Sequence, residues 1–280
     1  MARIAVVGSY GVGQTFVVDR APGRGETVIG SSARADDGGK GSNQAIGAAR
    51  LGAGVAFLTA VGEDHFADRA LALWADEGVD ASAVLRSSLP TMTAAILVEE
   101  TGDNRIVVVP GALSALTPDH VDAFMPRIEA ADVLLVQLEI PVETALYALE
   151  CGRRAGVRTI LNPAPAPSRP IAPVTDYVVP NETEAPAVAG AEATTVLTLG
   201  GRGARIGSEH VAAFPARVVD TTGAGDAFCA AFAVALAEGA SDLEAVRWGC
   251  AAGAHMVEHE GVVPGLPTRV QLENRVAVAV

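Results

Sequence analysis

The chain has 280 residues, half of them apolar and only 4% aromatic, so one large domain must fill its core with Ala, Val and Leu rather than rings. Thirty glycines and sixteen prolines are too few and too dispersed for a collagenous or low-complexity chain. Acidic residues outnumber basic ones, 33 to 20, and the net charge of −13 argues against nucleic-acid and membrane partners; an anionic ligand needs a local positive feature to draw it in.

From the N-terminus, Met1-Ala2-Arg3-Ile4 runs straight into a strand-like segment with no signal-peptide pattern. Short Val- and Ile-rich runs at Ile4–Val7, Val55–Thr59, Val133–Gln137, Thr159–Leu161, Tyr177–Val179 and Val196–Leu199 read as buried strands. Ala-rich amphipathic stretches at Ser42–Leu51, Phe66–Glu77, Val142–Ala155 and Ala227–Glu238 read as helices between them. This alternation predicts an α/β fold, a mostly parallel sheet covered on both faces. Phe16–Ser32 and Thr91–Val109 break the rhythm with the alternation of exposed antiparallel strands; they form either a small separate sheet over a cleft or edge strands of the main sheet. The longest apolar run, Ala227 to Ala237, falls short of the roughly 20 residues that cross a bilayer. Three separated cysteines (Cys151, Cys229, Cys250) without a C-x-x-C fit reduced thiols and a cytoplasmic setting.

Chemistry-bearing segments recur at strand ends. Gly8-Ser9-Tyr10-Gly11-Val12-Gly13 has the order G-x-x-G-x-G with no helical pattern after it, a weak dinucleotide signal. Asp37-Gly38-Gly39-Lys40-Gly41-Ser42-Asn43-Gln44-Ala45 opens a helix and offers Lys and Asn to a polyol; Arg34 and Gly41 stand where a Walker A loop needs Gly and Ser or Thr. Gln137-Leu138-Glu139 ends a strand with a carboxylate, and Asn162-Pro163-Ala164-Pro165-Ala166-Pro167 is either a linker or a rigid loop at a strand's carboxyl end. Pro180-Asn181-Glu182-Thr183-Glu184-Ala185 suits a phosphate–Mg²⁺ water network or a helix capping box. Thr198-Leu199-Gly200-Gly201-Arg202-Gly203 is a glycine-rich strand end that a hairpin turn also explains. The most informative segment is Val218-Val219-Asp220-Thr221-Thr222-Gly223-Ala224-Gly225-Asp226-Ala227-Phe228. Here a long helix begins behind two glycines, its first-turn amides have no acceptor within the helix, and Asp226 stands beside them to take a proton. The five histidines read as structural or solvated rather than as metal ligands.

Taken in order, these segments resemble the ribokinase-like (PfkB) family of carbohydrate kinases, from about Arg3 to Pro267. The resemblance implies a three-layer α/β/α domain with a small β-sheet lid, here about residues 11–37 and 90–110, and transfer of the γ-phosphoryl group of ATP to a hydroxyl of a small sugar. It implies Asp226 as general base, with the amides of Gly223, Ala224 and Gly225 as anion hole. Gly39, Lys40, Asn43 and Glu139 would face the sugar. Asn181 and Glu184 would organise phosphate and Mg²⁺-bound water, and Thr198, Gly200 and Gly203 would line the nucleotide site. A monovalent-cation (K⁺) loop maps to Asp220 and Thr222 with the carbonyls of Met256, His259 and Gly261. A homodimer joined through lid strands is a further family expectation.

Three positions depart from the family. Gly11 and Gly13 replace an Asn and an Asp that bind sugar hydroxyls in ribose-phosphorylating members, which leaves the acceptor open and makes Gln14 or Asp19 candidates to compensate. Gly265 replaces a hydroxyl ligand of the cation loop, and a helix is missing between Glu184 and Val196. A nucleoside kinase, using Tyr10 and Phe16 as a base platform, and a non-catalytic sugar or nucleotide sensor are the alternative readings. A nicotinamide oxidoreductase rests only on Gly8–Gly13.

Overall fold

The computed structural model describes residues 1–99 and 101–278. Its strands are β1 (Arg3–Val7), β2 (Gly11–Val18), β3 (Ser32–Gly38), β4 (Gly54–Leu58), β5 (Ala60–Val61), β6 (Val79–Asp80), β7 (Leu85–Arg86), β8 (Met92–Glu99), β9 (Asn104–Val109), β10 (Val133–Gln137), β11 (Arg158–Asn162), β12 (Val174–Val178), β13 (Glu192–Thr198), β14 (Ala204–Ile206) and β15 (Glu209–Val211). The helices are α1 (Lys40–Arg50), α2 (His65–Asp76), α3 (Pro118–Glu129), α4 (Val142–Arg154), α5 (Ala224–Ala237), α6 (Asp242–Met256), α7 (Val262–Gly265) and α8 (Arg269–Val278).

Nine strands form the main sheet in the order β15-β14-β13-β12-β11-β10-β1-β4-β6. All pairs from β6 to β13 are parallel, and only β14 and β15 run antiparallel at the edge. Alternation along the buried strands feeds two cores. Ile4, Val6, Val133 and Leu135 face one layer with α1, α2, α5 and α6, while Ala5, Val7, Leu134 and Val136 face the other with α3 and α4. After β1 the chain moves to β4, and from β10 onward it moves the opposite way, so β1 and β10 flank a topological switch point, the place in such sheets where ligands bind.

Because rings are scarce, close approach replaces bulk. Helix α5 is apolar all round and buried from Asp226 to Leu236, and its alanines let it lie between the sheet, α1 and α6. Rings gather in two places: Trp74 packs edge-on against Tyr10 and Phe57 with centroids 5.1 and 5.3 Å apart, and Phe232 packs against Tyr177 and Phe228.

A separate four-stranded sheet, β3-β2-β8-β9, forms rather than edges of the main one; Thr91–Val109 supplies β8 and β9, whereas Phe16–Ser32 is mostly the loop between β2 and β3, which lie at its two ends. The small sheet is mixed rather than antiparallel, because β2 and β8, which are distant in sequence, pair in parallel. The missing helix is also real: β12 reaches its parallel neighbour β13 through a single 3-10 turn at Ala185–Val188. The Gly200–Gly203 segment is the turn between antiparallel β13 and β14, as the simpler reading had it.

Arg50 at the end of α1 holds the C-terminal segment to the body. Its guanidinium donates to both oxygens of Glu77, at 2.8 and 2.5 Å, and to the carbonyls of Val263 and Leu266, at 2.6 and 3.0 Å. Both partners are mostly shielded, with side-chain exposures of 21% and 18%. Arg50→Met strands a carboxylate and two carbonyls, so it is expected to lower unfolding free energy by about 2–3 kcal/mol in equilibrium urea denaturation.

Candidate active site

Two helix N-termini meet at the carboxyl edge of the main sheet, and they differ in one respect. At α1 the amide donors are taken: Lys40 N donates to Glu139 Oε2 (2.8 Å), Gly41 N to Ser9 Oγ (3.3 Å) and Ser42 N to Ser9 O (2.8 Å). Ser9 Oγ in turn donates to Glu139 Oε2 across the β1–β10 switch point. Such contact needs main chain against main chain, since a Cβ at Gly41 would lie 2.5 Å from Ser9 N. At α5 the donors are open. Gly223 caps the helix in the left-handed region (φ +79°), where a Cβ would also strike Val262 Cγ1 at 2.6 Å. The amides of Gly223, Gly225 and Asp226 donate to no described acceptor, and a Cβ on Gly225 would meet nothing within 4 Å. The amide of Ala224, expected in the anion hole, is instead turned to Thr221 O at 3.3 Å, because the turn before the helix closes on it. The open set is therefore 223, 225 and 226.

Asp226 lies in the first turn of α5 with its carboxylate buried. Asn43 Nδ2 donates to one oxygen (2.8 Å) and Gln44 Nε2 to the other (2.9 Å). Gln44 Nε2 also lies 3.1 Å from Asn162 Oδ1, and its Oε1 accepts from Gln137 Nε2 (2.6 Å), so an amide chain from three elements fixes the acid. Burial pushes the Asp226 carboxyl up, partly opposed by the Lys40 ammonium and the two amide donors. Burial disfavours the Lys40 charge, but Asp226, Glu139 and Glu184 around it outweigh that and lift it. Asn43 Oδ1 is buried without a hydrogen-bond partner, an acceptor left over beside the acid.

Glu184 and Asn181 sit together at the end of β12 and form the reciprocal cap that their spacing allowed. Asn181 Oδ1 accepts from the amides of Thr183 and Glu184, and Glu184 Oε2 accepts from Asn181 N at 2.9 Å. Burial raises Glu184, with the Asn181 amide and Lys40 opposing. Thr198 bridges to Asn181 and donates to Pro180 O, and Gly200 and Gly203 form the turn that follows it.

Of the residues expected in a cation loop, Asp220 and Thr222 lie in contact beside Val257. Asp220 Oδ1 accepts from Thr222 N (2.9 Å), and the Val219 and Asp220 amides donate to Val257 O. Burial works against the Asp220 carboxylate, but donors from Thr222 and Gly261 hold it below the usual range. Met256 O already accepts from His259 N. At Gly265 there is no room for a hydroxyl-bearing side chain, since a Cβ would lie 2.6 Å from Met256 Cε and 3.0 Å from His259 Cβ.

The structure does not bring every expected residue to the site. Tyr10 is fully buried, its hydroxyl donating to Asp37 Oδ1 at 2.7 Å, and Phe16 lies on the face of β2 opposite Gly11 and Gly13, so neither offers a platform to a base. Gln14 shares that wrong face, and Asp19 lies beyond the end of β2, so neither replaces the polar side chains absent at 11 and 13. Ser9, Gln44, Gln137 and Asn162 carry no assigned role in the sequence reading. Their signal was a polar residue at a buried position of a strand end or helix start.

The sequence matches the family described as "pfkB family carbohydrate kinase" over residues 1–269. It is 39% identical over 292 aligned positions to the ribokinase of Bacillus subtilis, covering 98% of this chain and 99% of that one. It is 34% identical to a deoxyribokinase of Salmonella typhi, covering 82% and 84%. The structure of Arabidopsis thaliana ribokinase complexed with ribose and ATP superposes with a TM-score of 0.89 at 30% identity, covering 99% of both chains. A main sheet with its switch point, an open helix N-terminus and full-length similarity agree: the chain belongs to the pfkB family of carbohydrate kinases and is a phosphotransferase acting on a sugar hydroxyl.

Proposed function

We propose that this chain transfers the γ-phosphoryl group of ATP to a hydroxyl of a small sugar or polyol, with Asp226 as general base and the α5 amides as anion hole. The observation that carries the reading is the pairing of undonated amides at Gly223, Gly225 and Asp226 with a buried carboxylate on the same helical turn. The acceptor would lie at the switch point between Gly39, Lys40, Asn43 and Glu139, with its reacting hydroxyl against Asp226. The nucleotide would lie beyond the anion hole, along Thr198, Gly200 and Gly203. ATP is the donor by analogy with the Arabidopsis relative.

Phosphoryl transfer asks the protein for alignment and for charge stabilisation on the moving group, not for a covalent intermediate. Amides fixed by α5 supply the latter without reorganising. Lys40, held cationic by three carboxylates, adds positive charge at the acceptor side. Asp226 accepts the hydroxyl proton as the new P–O bond forms and the bond to the leaving ADP breaks. Magnesium brought with ATP neutralises phosphate charge when bound, and Glu184, a buried carboxylate near Lys40, fits as acceptor for water on that ion. A monovalent cation fits poorly: its hydroxyl ligand is missing and Met256 fills the place, so no step depends on one. The buried Tyr10 favours a sugar over a nucleoside, and the intact acid and anion hole favour an enzyme over a sensor.

The small sheet is the proposed lid, and it supplies the surface for a homodimer. Its edge strand β9 exposes Ile106, Val107, Val108 and Val109, each more than half accessible, beside unpaired backbone groups. An apolar edge of that kind is stabilised by a second copy.

Asp226→Asn is expected to lower kcat by about 10²–10⁴-fold while ATP binding, measured by calorimetry, stays intact; an active Asn variant removes the assigned base. Because burial raises the Asp226 carboxyl and the protonated form cannot accept, the acid limb of the kcat–pH profile should lie above the usual carboxylate range. Gln44→Met, which deletes a donor to the ionised form, should move that limb higher still. Exchanging potassium for choline is expected to leave turnover unchanged. Light scattering should give twice the chain mass, and Val107→Asp with Val109→Asp should halve it.

A further inference from the structure

Resting on the sugar-kinase reading above, we propose that Asp36 is the acceptor ligand that sets substrate choice, in place of the side chains absent at Gly11 and Gly13. Directly paired residues in a sheet project to the same face. In the small sheet, Gly13 pairs with Asp36 on β3 and with Ala94 on β8, while Gly11 pairs with Gly38 and Met92. Arg34 is two residues from Asp36 on the same face, and it reaches out of the sheet to Glu260, just ahead of α7, with Nη1 2.5 Å from Oε1. Since α7 carries the Val262 that abuts Gly223, the face bearing Gly11, Gly13 and Asp36 is the one turned toward the anion hole.

The two glycine positions differ in what surrounds them. At Gly11 the room for a side chain is filled: a Cβ would lie 2.3 Å from Met92 Cε and 2.8 Å from Met92 O. A thioether methyl neither donates nor accepts usefully, so the acceptor meets an apolar wall there. At Gly13 the space is open, a Cβ meeting only Ile96 Cδ1 at 3.3 Å, and across the strand pair stands the Asp36 carboxylate. One oxygen of Asp36 is 2.9 Å from Arg34 Nε, which orients the group and leaves the other oxygen without a described partner. Asp36 and Glu260 around the single Arg34 leave one net negative charge on this face. With Glu139 and Asp226 opposite and only the Lys40 ammonium against them, the pocket stays net negative, repels an anionic acceptor and suits a neutral one that donates hydroxyls to carboxylates.

The acceptor class that fits is therefore a neutral sugar with hydroxyls toward Asp36 and Glu139 and an unsubstituted carbon toward Met92, as in a deoxypentose. The test compares wild type, Asp36→Ala and the transplant Gly13→Asp/Asp36→Ala on D-ribose, 2-deoxy-D-ribose, D-xylose, erythritol and adenosine. The transplant is sterically feasible, because φ at Gly13 is not positive and the one close atom is the end of a flexible side chain. Loss of a charge-assisted hydrogen bond predicts that Asp36→Ala raises KM for the best acceptor roughly 10- to 100-fold without altering KM for ATP. The transplant should recover most of that loss, which a folding defect would not allow, and 2-deoxy-D-ribose should be the preferred acceptor. An unchanged acceptor KM in Asp36→Ala, or a transplant no better than it, overturns the assignment of Asp36 alone. A preference for D-ribose overturns the apolar wall. A wild type that phosphorylates none of the five overturns the kinase reading and this inference with it.

Discussion

Asp226 is an acidic group removed from water in a protein that already carries thirteen excess negative charges. Isolated, such a carboxylate is costly, and it would simply hold its proton. Two amide donors and the Lys40 ammonium make the ionised form accessible again, and both donors come from the first turns of α1. The placement of α1 is thus what the acid depends on, and α1 is placed by a main-chain contact that tolerates no Cβ at Gly41. A glycine, a serine and a glutamate at the switch point therefore act on the acid from a distance. They fix the helix whose side chains fix it.

The contrast between the two helix N-termini has a thermodynamic sense. Amides satisfied within the protein, as at α1, stabilise the resting fold and offer nothing to a ligand. Amides left undonated at α5 forgo that stabilisation, which on the proposed function an incoming oxyanion would supply. Since the surface as a whole repels phosphate, this local opening has to outcompete the general field. It does so at short range, where screening by salt matters least.

Much of this was legible in the sequence, and for a local reason. A strand followed by glycines and an Ala-rich run specifies a helix start at a sheet edge, so both Gly223–Asp226 and Gly38–Asn43 were legible as helix starts, and the resemblance rather than spacing gave Gly38–Asn43 a role at a site. Helix ends matched expectation to within one residue except at the N-termini of α1 and α5, which begin two and three residues earlier, where caps rather than periodicity decide. Other features depended on pairs far apart in the chain. The hydrogen bonds from Gln137 to Gln44 and from Gln44 to Asp226 span 93 and 182 residues. The parallel pairing of β2 with β8 likewise brings Met92 to Gly11, and no periodicity in either strand announces it. The anion hole was legible as a segment but not amide by amide, because the bond from Ala224 N to Thr221 O depends on how tightly one turn closes.

The positions where the chain departs from its family show how a fold absorbs a lost group. At Gly265 the neighbouring Met256 occupies the vacated volume, which preserves packing and gives up a ligand. At Gly11 Met92 does the same. At Gly13 the volume stays open and a carboxylate stands across the strand pair. A closed gap removes a function while an open one beside a charged group relocates it, and this difference can be read from the distance between a hypothetical Cβ and its nearest atom. In the small sheet it separates Gly11, closed by Met92, from Gly13, open toward Asp36. Both positions belong to the sheet whose Arg34 pairs with Glu260 just ahead of α7, the helix whose Val262 abuts Gly223, so the proposed acceptor wall and the proposed anion hole are mechanically linked.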